Sequence, residues 1–399
     1  MAQHDTIRAV LAGMLLLALP ATGRASGFQF SELSATGLAS ADAVVADPFA
    51  TGAIPYNPAL MAYHPGSHLF AGMAVVDAHS EALPATGGAV TSEAARPRYL
   101  PQADYFVTRG HWSAGLGVDT PYALETDWPA GTFPSALTAE PLASKIIVYD
   151  LHPMFGYHVG GFAVAAEIDY YYVRELQLTS PGVQTSGRGE KAGYSLGVSE
   201  RHGSWTAGAR YRSAATASVD GTMNTIPAIT ALPLPWSFQA GIEHAFSRRL
   251  SLEADFERTG WNRLQTLTAT GVGGVALVQN TLGWNAVNAY RMAVRYRLQG
   301  GVSVHFGVAA EQNPEPASHF SARLPVAEAH LFSIGASQRM GPWALDAGLA
   351  YLALSERSIQ STVPPGTYGT DMNGTSAFNG RYRNHAVLLG IGITRRFGG

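Results

Sequence analysis

From about residue 67 onward, apolar and polar residues alternate with a period of two, the spacing of β-strands whose faces meet different surroundings. In "GFAVAAEIDYYYV", Phe162, Val164, Ala166, Ile168, Tyr170 and Tyr172 share one face, and Glu167 and Asp169 take the other. "LSLEADFE" sets Leu250, Leu252, Ala254 and Phe256 against Ser251, Glu253, Asp255 and Glu257. In "YRMAVRYRLQ", Tyr290, Met292, Val294, Tyr296 and Leu298 oppose Arg291, Arg295 and Arg297. Each segment has about 9–13 residues, the length of a tilted strand that crosses a bilayer.

About 14 such segments can be read, near 67–78, 99–107, 111–119, 145–157, 161–174, 189–200, 204–213, 235–246, 249–259, 289–298, 301–311, 328–339, 342–355 and 383–397. Their connectors alternate in length. Residues 79–98 and 120–144 are long, whereas "RGH" near 110, "VGG" near 160, "RHG" (201–203), "SR" (247–248), "QGG" (299–301) and "MG" (340–341) are tight. A soluble sandwich has no reason to sort its loops by parity; an outer-membrane barrel does, with short turns in the periplasm and long loops outside. The faces follow from energetics. An arginine turned to lipid at mid-membrane costs roughly 2–4 kcal/mol, so Arg291 and its neighbours point into the lumen. Closure satisfies every backbone group, as strands in hydrocarbon require. The expected fold is therefore all-β, a transmembrane antiparallel β-barrel, with Tyr170, Tyr172, Trp205, Tyr211, Trp343 and Tyr351 as interfacial girdles.

Ahead of the strands, Ala9–Leu19 is an apolar run too short to span a bilayer. With Arg8 before it and Gly23 and Ala25 ahead of a cleavage point, it reads as a signal peptide over 1–25. Past this run no stretch of 18 apolar residues occurs, so helical spans are excluded. The composition agrees with an exported membrane protein: 14% charged residues, 10% aromatic, 44 glycines and a net charge of −3. There is no basic footprint for nucleic acid. Without cysteine, neither disulfides nor thiolate metal sites are available.

Residues 26–66 show no convincing strand or amphipathic helix. They begin "SGFQFSELSATGLASADAVVADP" and reach "YNPAL" at Tyr56–Leu60. This stretch, with Gly27–Phe28–Gln29, Gly37–Leu38–Ala39 and Asn57–Pro58–Ala59, resembles the start of the FadL-type family of Gram-negative outer membranes. That family comprises long-chain fatty-acid transporters and their aromatic-hydrocarbon relatives. "GLGVDTPYALETDWP" (115–129), "LPWSFQAGIEHAFSRRLSLEADFERTGWNRL" (232–264), "YRMAVRYRLQGGVSVHFGVAAEQNPEP" (290–316) and "ARLPVAEAHLFSIGAS" (322–337) are similar to further family blocks, in family order. The resemblance covers nearly the whole mature chain. It implies a 14-stranded barrel over 67–399, plugged by an N-terminal hatch over 26–66.

The resemblance also implies passive transport. A hydrophobic solute is captured among outer loops, passes to an apolar site and leaves sideways beside an inward kink in the third strand. Gly115 and Gly117 are where such a kink would be tolerated. Phe28, Phe30, Asn57, Pro58 and Ala59 become the hatch and gating residues. Tyr122, Leu124, Trp128 and Phe133 become candidates for the capture groove. Arg210, Arg212 and Arg291, lumenal and towards the outer ends, are candidates to meet a fatty-acid head group; salt bridges to lumenal carboxylates are the competing reading. The expected partners are a hydrophobic small molecule and outer-membrane lipid, with the chain a monomer, no cofactor and no metal.

Other signals are weaker. "GYSLG" (193–197) matches a nucleophile elbow but lies mid-strand, where Ser195 is simply lumenal. The 13 histidines include no HExxH pair, and "VGGVAL" near 272 lacks the context of a phosphate loop. A general porin and an outer-membrane lipid-modifying enzyme are the alternative functions; the plug argues against the first, and the second lacks a visible Ser/His/Asp set.

Overall fold

The computed structural model describes residues 27–94, 96–133 and 140–397, so the expected signal peptide lies outside it. The wall is a closed antiparallel barrel of 14 strands. In chain order these are β1 Gly66–Pro84, β2 Arg98–Arg109, β3 Trp112–Asp127, β4 Ala143–Val159, β5 Phe162–Ser180 and β6 Val183–His202. β7 is Trp205–Arg212 continued by Ala215–Met223, and β8 is Ile226–Leu234 continued by Ser237–Ala245. There follow β9 Leu250–Thr259, β10 Val287–Arg297, β11 Val302–Glu311, β12 Ala329–Met340, β13 Trp343–Leu354 and β14 Gly380–Phe397. β1 pairs with β2 on one side and with β14 on the other, from Ser67↔Phe397 to Pro84↔Gly380, and this seam closes the cylinder.

The alternation sets the faces. Tyr290 is 52% exposed on the outer wall, while its neighbour Arg291 is 1% exposed in the lumen. Among the described residues no helix is long and apolar enough to cross a membrane. Gly110, Gly160, Gly203 and Gly341 take positive φ in four of the tight turns, a conformation glycine adopts without steric cost. Two outer connectors differ from expectation. Residues near 175–188 and 214–234 form the tops of long hairpins, not irregular loops. Above the hydrocarbon a hairpin no longer separates lipid from lumen, so the apolar alternation fades while the ladder bonds continue.

Residues from Gly27 to Pro65 pack inside the barrel. Ser34 caps the five-residue helix α1 (Ala35–Ala39) by accepting from Gly37 N, and the 3-10 turns Thr51–Tyr56 and Pro58–Tyr63 complete the plug. Wall carboxylates accept its amides: Val45 N donates to Asp255 (3.2 Å) and Ala46 N to Glu253 (2.6 Å). Wall glycines let the plug backbone come close; a Cβ at Gly348 would lie 2.9 Å from Ala35 O, and one at Gly208 would overlap the Val45 carbonyl. Gly208, Gly307, Gly335, Gly348 and Gly390 thus serve close approach between wall and plug backbone.

A side chain at Gly208 has no room unless the plug moves. Gly208→Leu is expected to leave a barrel that still migrates as a folded, heat-modifiable band. In planar bilayers it should convert a nearly silent protein into one with steady currents.

Candidate functional site

One pairing in the wall breaks and does not resume among the described residues, that of β2 with β3. β2 and β3 pair from Arg109↔Trp112 up to Ala103↔Val118 and then part, although both strands continue. The cause lies on the other side of β3. Against β4 its register slips between Asp119 and Tyr122, where β3 carries one residue more than its partner. This is a bulge, which bends the strand that holds it. Gly115 and Gly117, expected at the kink, sit instead in the regularly paired part below it, opposite Phe106 and Asp104. Gly117 is glycine for another reason: a Cβ there would collide with His152 and Asp104.

The gap is a bounded window. Below it stands the Ala103–Val118 pair; above it, Arg98 and Glu125 form an ion pair and Glu93 N donates to Asp127 O at 2.7 Å. Pro101 faces the window from β2 and Pro121 from β3, residues that have no N–H to leave unsatisfied. The freed edge of β3 is taken by the chain's own N-terminal segment. Phe30 N donates to Pro121 O (2.8 Å) and Ala123 N to Phe28 O (3.1 Å). On the β2 side, the Gln102 amide donates to Glu32 O at 3.0 Å.

Just inside the window lies an apolar cluster. Phe28 meets Trp261 edge-on at 4.7 Å and Tyr122 at 5.8 Å, and Trp261 meets Trp284 at 5.1 Å. Leucines and valines of β4, β5, β7, β8 and β10 and of the outer loops surround these rings. The indole N–H groups of Trp261 and Trp284 and the Tyr171 hydroxyl are buried without a partner among the described residues. Towards the outside the cluster continues into a cavity of about 30 Å³ lined by Leu124, Ile146 and Leu282. Beyond it lies a cavity of about 170 Å³ lined by Leu178, Met223, Leu267 and Leu277.

Below the cluster the lumen turns ionic. Arg210 donates to Glu167 (2.7 Å) and to Pro55 O (2.7 Å); Arg291 bridges Glu257 (2.7 Å) and Glu311 (2.8 Å). Arg212 stands 3.7 Å from Asp150. These three arginines therefore face carboxylates, the competing reading of the sequence. Ser195 also belongs to this belt, donating to Asp169 at 2.8 Å and accepting from Arg210 at 3.3 Å, with no histidine bonded to it among the described residues.

The other expected residues divide between sites. Tyr122 and Leu124 line the apolar path. Trp128 and Phe133 pack with Phe320, Phe378 and Tyr382 inside the loop cap, away from that path. Phe28 fills the aromatic cluster, and Phe30, partly buried, packs against a second cluster that includes Leu38 and Leu331. Asn57 fastens the plug: its amide nitrogen donates to Val45 O (2.9 Å) and Val198 O (3.0 Å), and its oxygen caps Ala59 N (3.1 Å). Pro58 opens the turn that Asn57 caps, and Ala59 is buried in it.

The residue that sequence reasoning missed is Arg323, in the loop between β11 and β12. Its guanidinium lines both outer cavities and donates to Ser144 Oγ (3.3 Å), Thr179 O (3.0 Å) and Ser180 Oγ (2.5 Å). It forms no ion pair among the described residues. Burial without a counter-charge lowers it to about 10, still a full cation at neutral pH. Its only signal in the sequence is an arginine amid "SARLPVA".

A family model described as "Outer membrane protein transport protein (OMPP1/FadL/TodX)" matches residues 16–165 and 184–397. The structure of a FadL homologue from Pseudomonas aeruginosa is similar at a TM-score of 0.77 and 16% identity, over 94% of this chain and 100% of that one. The Ralstonia pickettii toluene transporter TbuX is similar at a TM-score of 0.67 and 16% identity, over 93% and 99%. A 47 kDa outer membrane protein of Pasteurella multocida (strain Pm70) is 24% identical over 156 residues, which span 37% of this chain and only 36% of that relative.

The seal over the window depends on Gly27, whose φ is +70° and whose Cβ would lie 2.7 Å from Trp284 and 2.8 Å from Trp261. Gly27→Val is expected to detach the N-terminal segment from β3. Amide exchange at Ala123 should then rise by roughly 5–30-fold, the equivalent of about 1–2 kcal/mol. Unchanged protection there would mean that the segment does not seal the edge.

Proposed function

The chain belongs to the FadL/TodX family of outer-membrane transport proteins, and from that premise we propose that it carries hydrophobic molecules passively across the outer membrane. The solute class is long-chain fatty acids or similar lipophiles. Capture occurs at the outer cavity, transfer follows the apolar path to the aromatic cluster, and exit is lateral, through the window between β2 and β3. The observation that carries this reading is the meeting of two features at one place. The apolar path ends where β2 and β3 part and do not pair again.

The physics favours a sideways exit. Below the cluster an apolar solute would meet buried ion pairs and the packed plug, and it would have to displace charges already partnered at 2.7–2.8 Å. Leaving sideways, each methylene passes from one apolar environment to another, keeping about 0.8 kcal/mol relative to water. Phe28 occupies the cluster and also bonds β3, so a ligand that takes the place of its ring loosens the segment covering the window. The relatives named for toluene make an aromatic hydrocarbon the second candidate solute. Arg323 favours an acid, because it offers an uncompensated cation beside an apolar cavity.

Two experiments test this. Arg323→Gln should weaken binding of a long-chain fatty acid by about 10- to 100-fold, the loss of a charged hydrogen bond worth about 1.5–3 kcal/mol, while leaving the corresponding alcohol unaffected. Equal effects on both would remove the head-group role. Deleting Thr120 takes the extra residue out of β3 and lets wall pairing continue past Val118. Uptake of labelled fatty acid or toluene in transporter-deficient cells should then fall to background although the barrel is folded. Retained uptake would point to a path through the plug.

A further inference from the structure

At the foot of the window, facing the lumen, two aspartates stand directly opposite each other: Asp119 on β3 and Asp150 on β4 are register partners. Like charges in that position repel. They are 2% and 0% exposed, and none of their four carboxylate oxygens has a hydrogen-bond partner among the described residues. His152, 2% exposed, lies two residues along β4 on the same face. Its Nε2 is held by Asp104 at 3.3 Å, while its Nδ1 has no hydrogen-bond partner and lies 4.0 Å from Asp150. One donor atom from each of Asp119, Asp150 and His152 lies within 4.8 Å of the others.

We propose that Asp119, Asp150 and His152 bind a divalent cation of the zinc type. Three considerations lead there. The first is charge: Asp104, Asp119, Asp150, Glu167 and Asp169 gather here against Arg210 and Arg212, and Arg210 is already engaged by Glu167. Burying such an excess without a counter-ion is costly. The second is orientation. A histidine that ligates metal through one nitrogen usually gives its other N–H to a carboxylate, the role Asp104 plays here. Gly117 preserves that contact, because a side chain there would strike both partners. The third is the donor set. One imidazole and two carboxylates suit zinc and its neighbours, whereas calcium and magnesium take oxygen ligands. Donors about 2.0–2.2 Å from a tetrahedral ion lie about 3.3–3.6 Å from one another, so the three side chains, now within 4.8 Å, would close on the ion by about 1 Å, a side-chain adjustment.

A single-segment motif search misses this set because its ligands come from two strands and their orienting carboxylate from a third. The ion would tie the first residue of the β3 bulge to β4 and pin the foot of the window. That consequence rests on the transport reading; the site does not.

The test uses the full-length barrel in detergent, stripped with chelator and titrated separately with Zn²⁺, Co²⁺, Ca²⁺ and Mg²⁺. The expected result is one Zn²⁺ or Co²⁺ per chain, with a cobalt visible spectrum typical of nitrogen and oxygen ligands. Asp119→Asn and His152→Gln should each weaken binding at least about 100-fold, and Asp104→Asn about 10- to 100-fold. Asp346→Asn, a lumenal carboxylate elsewhere, should bind as wild type. Absence of stoichiometric metal in the wild-type barrel, binding of Ca²⁺ or Mg²⁺ alone, or full retention in the folded Asp119 and His152 variants would each overturn the proposal. Wild-type metal content decides the matter even if a variant fails to assemble, and it does so independently of any uptake measurement.

Discussion

A strand inside hydrocarbon must have every backbone amide and carbonyl bonded, because no water is there to replace a missing partner. That requirement explains why the wall closes on itself through β1 and β14, and it makes a break in the wall an exceptional event. The break between β2 and β3 persists because its edges are managed locally. The bulge at Asp119–Tyr122 turns β3 inward, and Phe28 and Phe30 supply bonds that β2 no longer gives. The N-terminal segment is thus part of the wall's hydrogen bonding, and the stretch that bonds the free edge of β3 is the one that fills the aromatic cluster.

The lumen is divided by polarity across its depth. Its outer half is lined by leucine, valine and aromatic rings, and its middle by arginine–carboxylate pairs that also grip the plug. Removing one member of such a pair leaves a buried charge unmatched, an expensive change. The ionic belt therefore acts as a floor. It holds the N-terminal segment by charge and amide contacts, and on the transport reading proposed above it would give an apolar solute no favourable way downward.

How much of this was legible depended on periodicity. The strand number and the inward face of Arg291 followed from period-two alternation, because lipid and lumen impose opposite demands on successive residues. The hairpin tops beyond Val173 and Arg212 were not legible, since water lies on both sides of them and the alternation lapses. Loop residues carried no directional rule: Trp128 and Phe133 were equally suited to a groove or to the cap, and long-range packing decided. Arg323 could not be found locally because its partners come from Ser144, Thr179 and Ser180, more than 140 positions earlier. The kink was misplaced on Gly115 and Gly117, although Pro101 and Pro121 stood in the sequence as signs of strand edges.

Those two prolines bear on how neighbouring molecules meet. An opening in a membrane sheet presents edges that another copy could add to, and in a crowded membrane such edge-to-edge pairing would lock two windows shut against each other. A proline on each edge withholds a donor from any incoming strand. On the lateral-exit reading proposed above, lipid, which asks for no hydrogen bonds, would then be a better neighbour for the window than another protein, and the opening would stay available to the bilayer.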